Sequence, residues 1–496
     1  MEQFKISRTL ITLALSVILI TAVILFFKRT IEYRTIQFDD IIFADALYPQ
    51  YAQAGIVKKI FASSVYIGVT SAYYRPVLPL SFCMDSLISK GKPDYRVNHT
   101  TNIILHIICV LLLFYFCKTY CFPLLISFFL SAIFALNIFS LHTVAWISGR
   151  NDSLLFIFVF LSFIFFIKAN EDKNNKILFY IWHIIFFCIA LLTKESAFMI
   201  PILCLSYGLF LKKYKKSIPV YCVWVICMIT VLFIRSKYVN NNTLFEHIFN
   251  LSDLKNNIYM VCDYLTNAFL LSKDIIYPQF SLLVFIKGTA IAAMLVIFGS
   301  LSDNKRNALF FLSFFIIFLS PNFLIDRILF QGNRMYLPFA FLLIAVFYMI
   351  APLFKKYKAA ACCITFVFII CSALNANNRV NIFYDQDTFF SDTDDMVKLK
   401  SNLLWEFKLL TYLNFIDHSK IPLETLEKRN IADKNIIQIL ISVNLQLENY
   451  QKALEYALKY ESFLEKDKDY YDLLIFCYVK LGEYEKADQI KALSDK

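Results

Sequence analysis

The stretch DYRVNHTTNIILHIICVLLLFYFCK, from Asp94 to Lys118, decides the fold class. After a polar opening it continues apolar from about Thr100 to Cys117, enough helix to cross most of a bilayer's hydrocarbon layer. His99, Asn102 and His106 stand at i, i+3 and i+7, on one face of the helix this run predicts. Polar groups on a single face of a span turn toward a bundle interior or a wet cavity, so this helix needs neighbours. For Asn102 and His106 the simplest role is interhelical hydrogen bonding.

Similar runs recur on both sides of it. Roughly eleven span-like segments are expected. They lie near Ser7–Phe27, Thr100–Cys117, Phe122–Phe139, Ser153–Ile167, Ile177–Leu192 and Ser196–Leu211. Others lie near Ile218–Ile234, Phe280–Ser300, Ala308–Ser320, Tyr336–Phe354 and Ala359–Ala376. Composition agrees: 59% of the 496 residues are hydrophobic and 18% charged, against about half and a quarter in a soluble protein. Disorder, collagen and a small disulfide scaffold are thereby excluded. The 13 Cys fall mostly inside apolar runs, as at Cys109, Cys188 and Cys362, and show no metal-type spacing. No glycine-rich phosphate cradle is present, which disfavours a bound nucleotide, and nothing points to nucleic acid.

The net charge of +11 matters through its placement. Basic clusters at Lys118, Lys168–Lys176, Lys212–Lys216, Lys305-Arg306 and Lys355–Lys358 occupy every second connection. By the positive-inside bias these, and the N-terminus, face the cytoplasm. The loops 28–99, 140–152, 193–195, 235–279 and 321–335, and everything after about 377, then lie outside. The 235–279 loop reads as a re-entrant or surface-lying helix.

The last 120 or so residues are charged and amphipathic, and they repeat. LQLENYQKA at 445–453 returns as VKLGEYEKA at 479–487, a period of 34 residues. That is the period of a tetratricopeptide (TPR) helix–turn–helix unit. Two units cannot bury their faces alone, so a degenerate one is expected around 400–435. The expected organisation is therefore all-α: a polytopic bundle over 1–376, a linker at 377–399 and TPR-like helices over 400–496.

The long first loop opens with Asp39-Asp40 and continues through Tyr74-Arg75-Pro76 and Leu80-Ser81-Phe82. Read alone, the acidic pair suits a helix N-cap, a solvated loop or an acid–base site. Together with the H-x-x-N-x-x-x-H start at His99, these segments resemble the transmembrane and TPR repeat-containing O-mannosyltransferases and their bacterial relatives. Their wider group is the GT-C polytopic glycosyltransferases. The loop LHTVAWISGRND at 141–152, LTKE at 192–195 and NRMYLP at 333–338 extend the resemblance in order and on one side of the membrane. Thr143 and Asn333 depart from it, where the family carries acidic residues.

The resemblance implies transfer of a mannose-like hexose from a polyprenyl-phosphate donor to a Ser or Thr hydroxyl of an acceptor protein, at the outer face and with inversion. A lipid-linked oligosaccharide transferase, or a transferase acting on a lipid or surface glycan, is the nearest alternative. A flippase, a transporter or a non-catalytic TPR scaffold would be of another class. The implied setting is a bacterial inner or plasma membrane, with the repeats meeting the acceptor.

Such chemistry needs one carboxylate as base and fixed positive charge for the leaving phosphate. Asp39 is the expected base, with Asp40 orienting the acceptor, or the reverse. Arg334 and then Arg150 are the expected phosphate ligands, since basic residues outside run against the orientation bias. His99, Tyr74, Arg75 and His142 are candidates for sugar or acceptor contact. Structural ion pairs of Arg150 with Asp152, or of Lys194 with Glu195, are the competing reading. No cofactor is expected, and a divalent metal is left open.

Overall fold

The opening stretch forms a helix, Tyr95–Phe116, capped by Asp94, whose carboxylate accepts from the Arg96 amide at 3.0 Å. The computed structural model describes the chain except 1, 37, 68–70, 72, 173, 211–217, 240–250, 272–279, 322–331, 392–399, scattered positions between 401 and 432, 465–467 and 495–496. The basic cluster Lys212–Lys216, parts of the 235–279 loop and most of the 321–335 loop lie outside the described residues.

Every regular element among the described residues is helical, apart from one isolated bridge between Ser71 and Val239. They contain 7 helices long and apolar enough to cross a membrane, or 8 if one bent pair counts as a span, and this overturns the expected eleven. The long ones are Thr9–Glu32, Tyr95–Cys121, Ile147–Glu171, Pro219–Tyr238, Leu282–Leu301, Gly332–Lys356 and Lys358–Phe383. Among the described residues three of the expected spans fall short: Lys176–Leu191 has 16 residues, Lys305–Leu319 has 15 and the described part of the third, Ile200–Phe210, has 11. At about 1.5 Å per residue none reaches the roughly 30 Å of a hydrocarbon core. The fourth, Leu124–Ala135 with Ile138–Ala145, bends by 55°. Asn137 causes the break: its side-chain oxygen accepts from the Phe139 and Ser140 amides and so starts a second helix. The amphipathic segment of the 235–279 loop is a separate helix, Leu251–Leu270, which is not among the long apolar ones.

Aromatic packing holds the helices of this unit together. Phe156 stacks on Phe160 at 4.3 Å, Phe160 on Phe341 at 5.5 Å, and Phe341 on Phe318 at 5.3 Å. Each such pair adds about 0.5–1.5 kcal/mol beyond its buried area. Polar ties fix the register. His106 bonds the Tyr336 hydroxyl at 2.6 Å, and Asn102 donates to the carbonyls of Val144, Trp146 and Ile147. Both therefore bond between elements, as their spacing predicts.

The chain divides into two units, Met1–Asp392 and Thr393–Lys496. Part of the segment expected as a linker from 377 packs into the first: the Arg34 amide donates to the Tyr384 carbonyl at 2.8 Å, and Phe383 is buried.

The described part of the second unit is a run of short helices, each packed on the next. Helices Tyr450–Lys459 and Tyr484–Ser494 begin 34 residues apart, and helices Lys434–Gln446 and Lys468–Lys480 end 34 residues apart. The turns repeat as well. Glu448 and Gly482, also 34 apart, both take positive φ, 56° and 77°, and end their helices with the same backbone bonds. Ala453 and Ala487, equivalent in the repeat, are both buried, so small side chains let the paired helices close.

Candidate active site

The acidic pair splits by environment. Asp40 is fully buried and committed: its Oδ1 accepts from the Ser148 amide at 2.8 Å and hydroxyl at 2.7 Å, and its Oδ2 from the Ile36 amide. It fastens the first loop to the 147–149 turn. That turn folds back only because Gly149 lacks a side chain, since a Cβ there would meet the Thr143 carbonyl oxygen at 2.5 Å. Burial pushes the Asp40 carboxyl up to about 7, against the Ser148 and Ile36 bonds that lower it.

Asp39 is only partly buried. The Tyr66 hydroxyl donates to its Oδ1 at 2.6 Å, and among the described residues no donor reaches its Oδ2. Burial raises its pKa as well, while the Tyr66 bond and the charge of Arg75 pull it back.

Arg75 begins a chain of charges from distant loops. Its Nε and Nη2 both hold Glu195 Oε2, at 3.0 and 2.5 Å, and its guanidinium lies 4.1 Å over the Tyr73 ring. Arg235 approaches the other Glu195 oxygen at 3.7 Å. Burial alone would raise the Glu195 carboxyl, but Arg75 and Arg235 reverse this and leave it below its ordinary value. Lys194 turns away from its neighbour Glu195 and pairs with Asp152 at 2.5 Å. The second Asp152 oxygen accepts from Asn333 at 2.8 Å, which brings Arg334 into the group. Burial lowers the Lys194 ammonium; Asp152 offsets this, and the like charges of Arg75 and Arg334 push it down further. The side chains expected from loops 28–99, 140–152, 193–195 and 321–335 thus meet at one end of the bundle.

The other expected site residues sit elsewhere. Arg150 is fully buried and spent: it pairs with Asp85 at 2.7 Å, donates to Asn102 Oδ1 and the Asn98 carbonyl, and lies 4.0 Å over Phe82. Its partner is therefore Asp85, with Thr101 also donating to that carboxylate at 2.6 Å. Tyr74 is buried, bonding the Phe61 carbonyl and stacking on Tyr238, so its ring face is not open to a sugar. His142 is buried against Phe383 and beneath Gly332, where a Cβ would meet the imidazole at 2.7 Å. His99 is fully buried and edge-on to Tyr33.

Two partners of the expected site residues escaped the sequence reading. Asp85 carried a usable signal, a lone acid in the apolar run LPLSFCMDSLI, which demands a partner. Tyr66 carried none, since a loop tyrosine is unremarkable. Among the described residues no group of His, Cys, Asp and Glu could hold a metal.

No family model matches the chain, and no solved structure does. Over 153 residues it is 28% identical to the mouse (Mus musculus) protein O-mannosyl-transferase TMTC1. The match covers 29% of this chain and 16% of that protein, so the chain spans a small part of the relative's length. The chain is thus a membrane protein distantly and partially related to an O-mannosyltransferase.

Proposed function

We propose that the protein transfers a hexose of the mannose type from a polyprenyl-phosphate donor to a protein Ser or Thr hydroxyl at the extracytoplasmic face of a bacterial membrane. The observation that carries this reading is the asymmetry of the acidic pair. Asp40 is consumed by Ser148 and Ile36, while Asp39 keeps an oxygen without a donor beside a cluster of cations.

Asp39 is the base. Its Oδ2 takes the proton of the attacking hydroxyl, and the hydroxyl oxygen bonds the anomeric carbon from the side opposite the phosphate. The sugar–phosphate bond breaks and inverts the centre. The polyprenyl phosphate leaves as an anion and needs no general acid. Tyr66 orients Asp39, and a carboxyl held above the usual range is a stronger base at neutral pH. Arg334 and Arg75 meet the phosphate, with Arg75 aligned by Glu195. Arg150 takes no part in this step, because its donors are committed within the protein. The TPR-like helices would hold the acceptor polypeptide.

Mass spectrometry of extracytoplasmic glycoproteins, with and without the gene, tests the reading. Loss of a hexose from Ser or Thr peptides in the deletion supports it. Unchanged protein glycans with an altered lipid or surface glycan would favour the other acceptor class.

A further inference from the structure

A second site lies at the other end of the same bundle. Helices Tyr95–Phe116 and Arg150–Glu171, each of 22 residues, and Tyr336–Lys356, of 21, start at the end of the bundle that holds the candidate active site and run about 30 Å away from it. Around their far ends is a cavity of about 530 Å³, reached by Tyr120, Ile167 and Tyr348 and closed on another side by Tyr207. The turn before helix Lys305–Leu319 forms its rim, and the first two residues of that helix, Lys305 and Arg306, line it.

The lining has the chemistry of a lipid headgroup site. Lys305 and Arg306 are exposed and make no ion pair among the described residues. Asp303 is the acid among the lining residues and makes no ion pair among the described residues, and the charge of Glu171 reaches the lining Tyr120 and Tyr207. The tyrosines offer hydroxyls at the level where headgroups sit, and Phe116, Phe311 and Ile167 give an apolar wall for the start of an acyl chain. Helix Lys305–Leu319 also directs its N-terminal dipole at this rim. Basic pockets between spans on the cytoplasmic side suit anionic headgroups, and this is the end whose connections carry Lys118, Lys168 and Lys355.

We propose that this cavity holds the phosphodiester headgroup of an anionic glycerophospholipid, with Lys305 and Arg306 as its ligands. The proposal does not depend on the transferase reading.

The test is native mass spectrometry of the full chain in neutral detergent, titrated with phosphatidylglycerol, phosphatidylcholine or inorganic phosphate. Phosphatidylglycerol should bind more tightly than phosphatidylcholine. In the double variant Lys305→Gln/Arg306→Gln its affinity should fall about 10–30-fold, since each cation near an anionic headgroup contributes roughly fivefold. The variant Lys355→Gln/Lys356→Gln removes the same charge at the same end without touching the cavity, and should bind as the wild type does. Equal loss in both variants, or none in the first, overturns the proposal. Displacement of phosphatidylglycerol by millimolar inorganic phosphate would assign the cavity to free phosphate and overturn the lipid assignment.

Discussion

The Tyr66 hydroxyl donates to Asp39 Oδ1 at 2.6 Å, while the adjacent Asp40 turns inward to Ser148. Two consecutive carboxylates thus have separate duties, one at the cation cluster and one as a loop fastener. Tyr66→Phe removes a bond that lowers the Asp39 pKa, so that pKa should rise further. Asp39 would then ionise at higher pH. The acid limb of the pH–rate profile for sugar transfer should shift upward, with the alkaline plateau less affected. A steady-state pH profile of both forms checks this.

Asp40 makes stability depend on pH. Its pKa is raised in the folded state to about 7, mainly by burial, from an ordinary value of 3.8. A raised folded pKa gives stability that is fully present below the unfolded value and lost as pH rises through the folded one. The Asp40 contribution should therefore decline between about pH 4 and 7. Asp40→Asn keeps an acceptor for Ser148 and removes the titration. Thermal unfolding in detergent across this range should slope for the wild type and be flatter for the variant.

Arg150 and Asp85 form a buried pair, both less than 2% exposed, with every other contact supplied from within the protein. Arg150→Met strands the Asp85 carboxylate and should cost about 3–5 kcal/mol of stability. The double variant Arg150→Met/Asp85→Leu should recover much of that loss, because no unpaired charge remains. Denaturant unfolding of the three proteins measures it.

Glu448 holds a positive φ that Gly482 occupies in the next repeat. A side chain in the left-handed region costs roughly 1–2 kcal/mol. Glu448→Gly should relieve part of it and raise the stability of the second unit by about 1 kcal/mol. Differential scanning calorimetry of the full chain, following the transition of the repeats, tests this.

Much of the fold is legible because the strongest constraints are local. A 34-residue period appears in the letters at Tyr450 and Tyr484, and the helices begin at those residues. The long apolar runs are readable for the same reason. Span number is less so, since hydropathy registers an apolar run but not its length as an unbroken helix. Asn137 divides one run by capping, and the helix Lys305–Leu319 follows the run near Ala308–Ser320 almost to its end yet has only 15 residues. At the site, residue types were readable and pairings were not. Lys194 and Glu195 are neighbours in sequence, yet they face Asp152 and Arg75, partners 42 and 120 residues away. Such choices depend on which loops the bundle brings together, and local spacing carries no trace of that.

In the proposed reaction Asp39 serves as the base. The most direct measurement is hexose transfer from a radiolabelled polyprenyl-phosphate donor to acceptor peptide, in membranes carrying wild type, Asp39→Asn or Asp40→Asn at matched folded levels. Loss of a general base costs about 10²–10⁴-fold, so Asp39→Asn should fall at least about 100-fold in rate while still binding donor. Asp40→Asn should stay within about tenfold of wild type, as its bonds to Ser148 survive. Near-normal transfer by Asp39→Asn, or a larger loss in folded Asp40→Asn, would contradict the account.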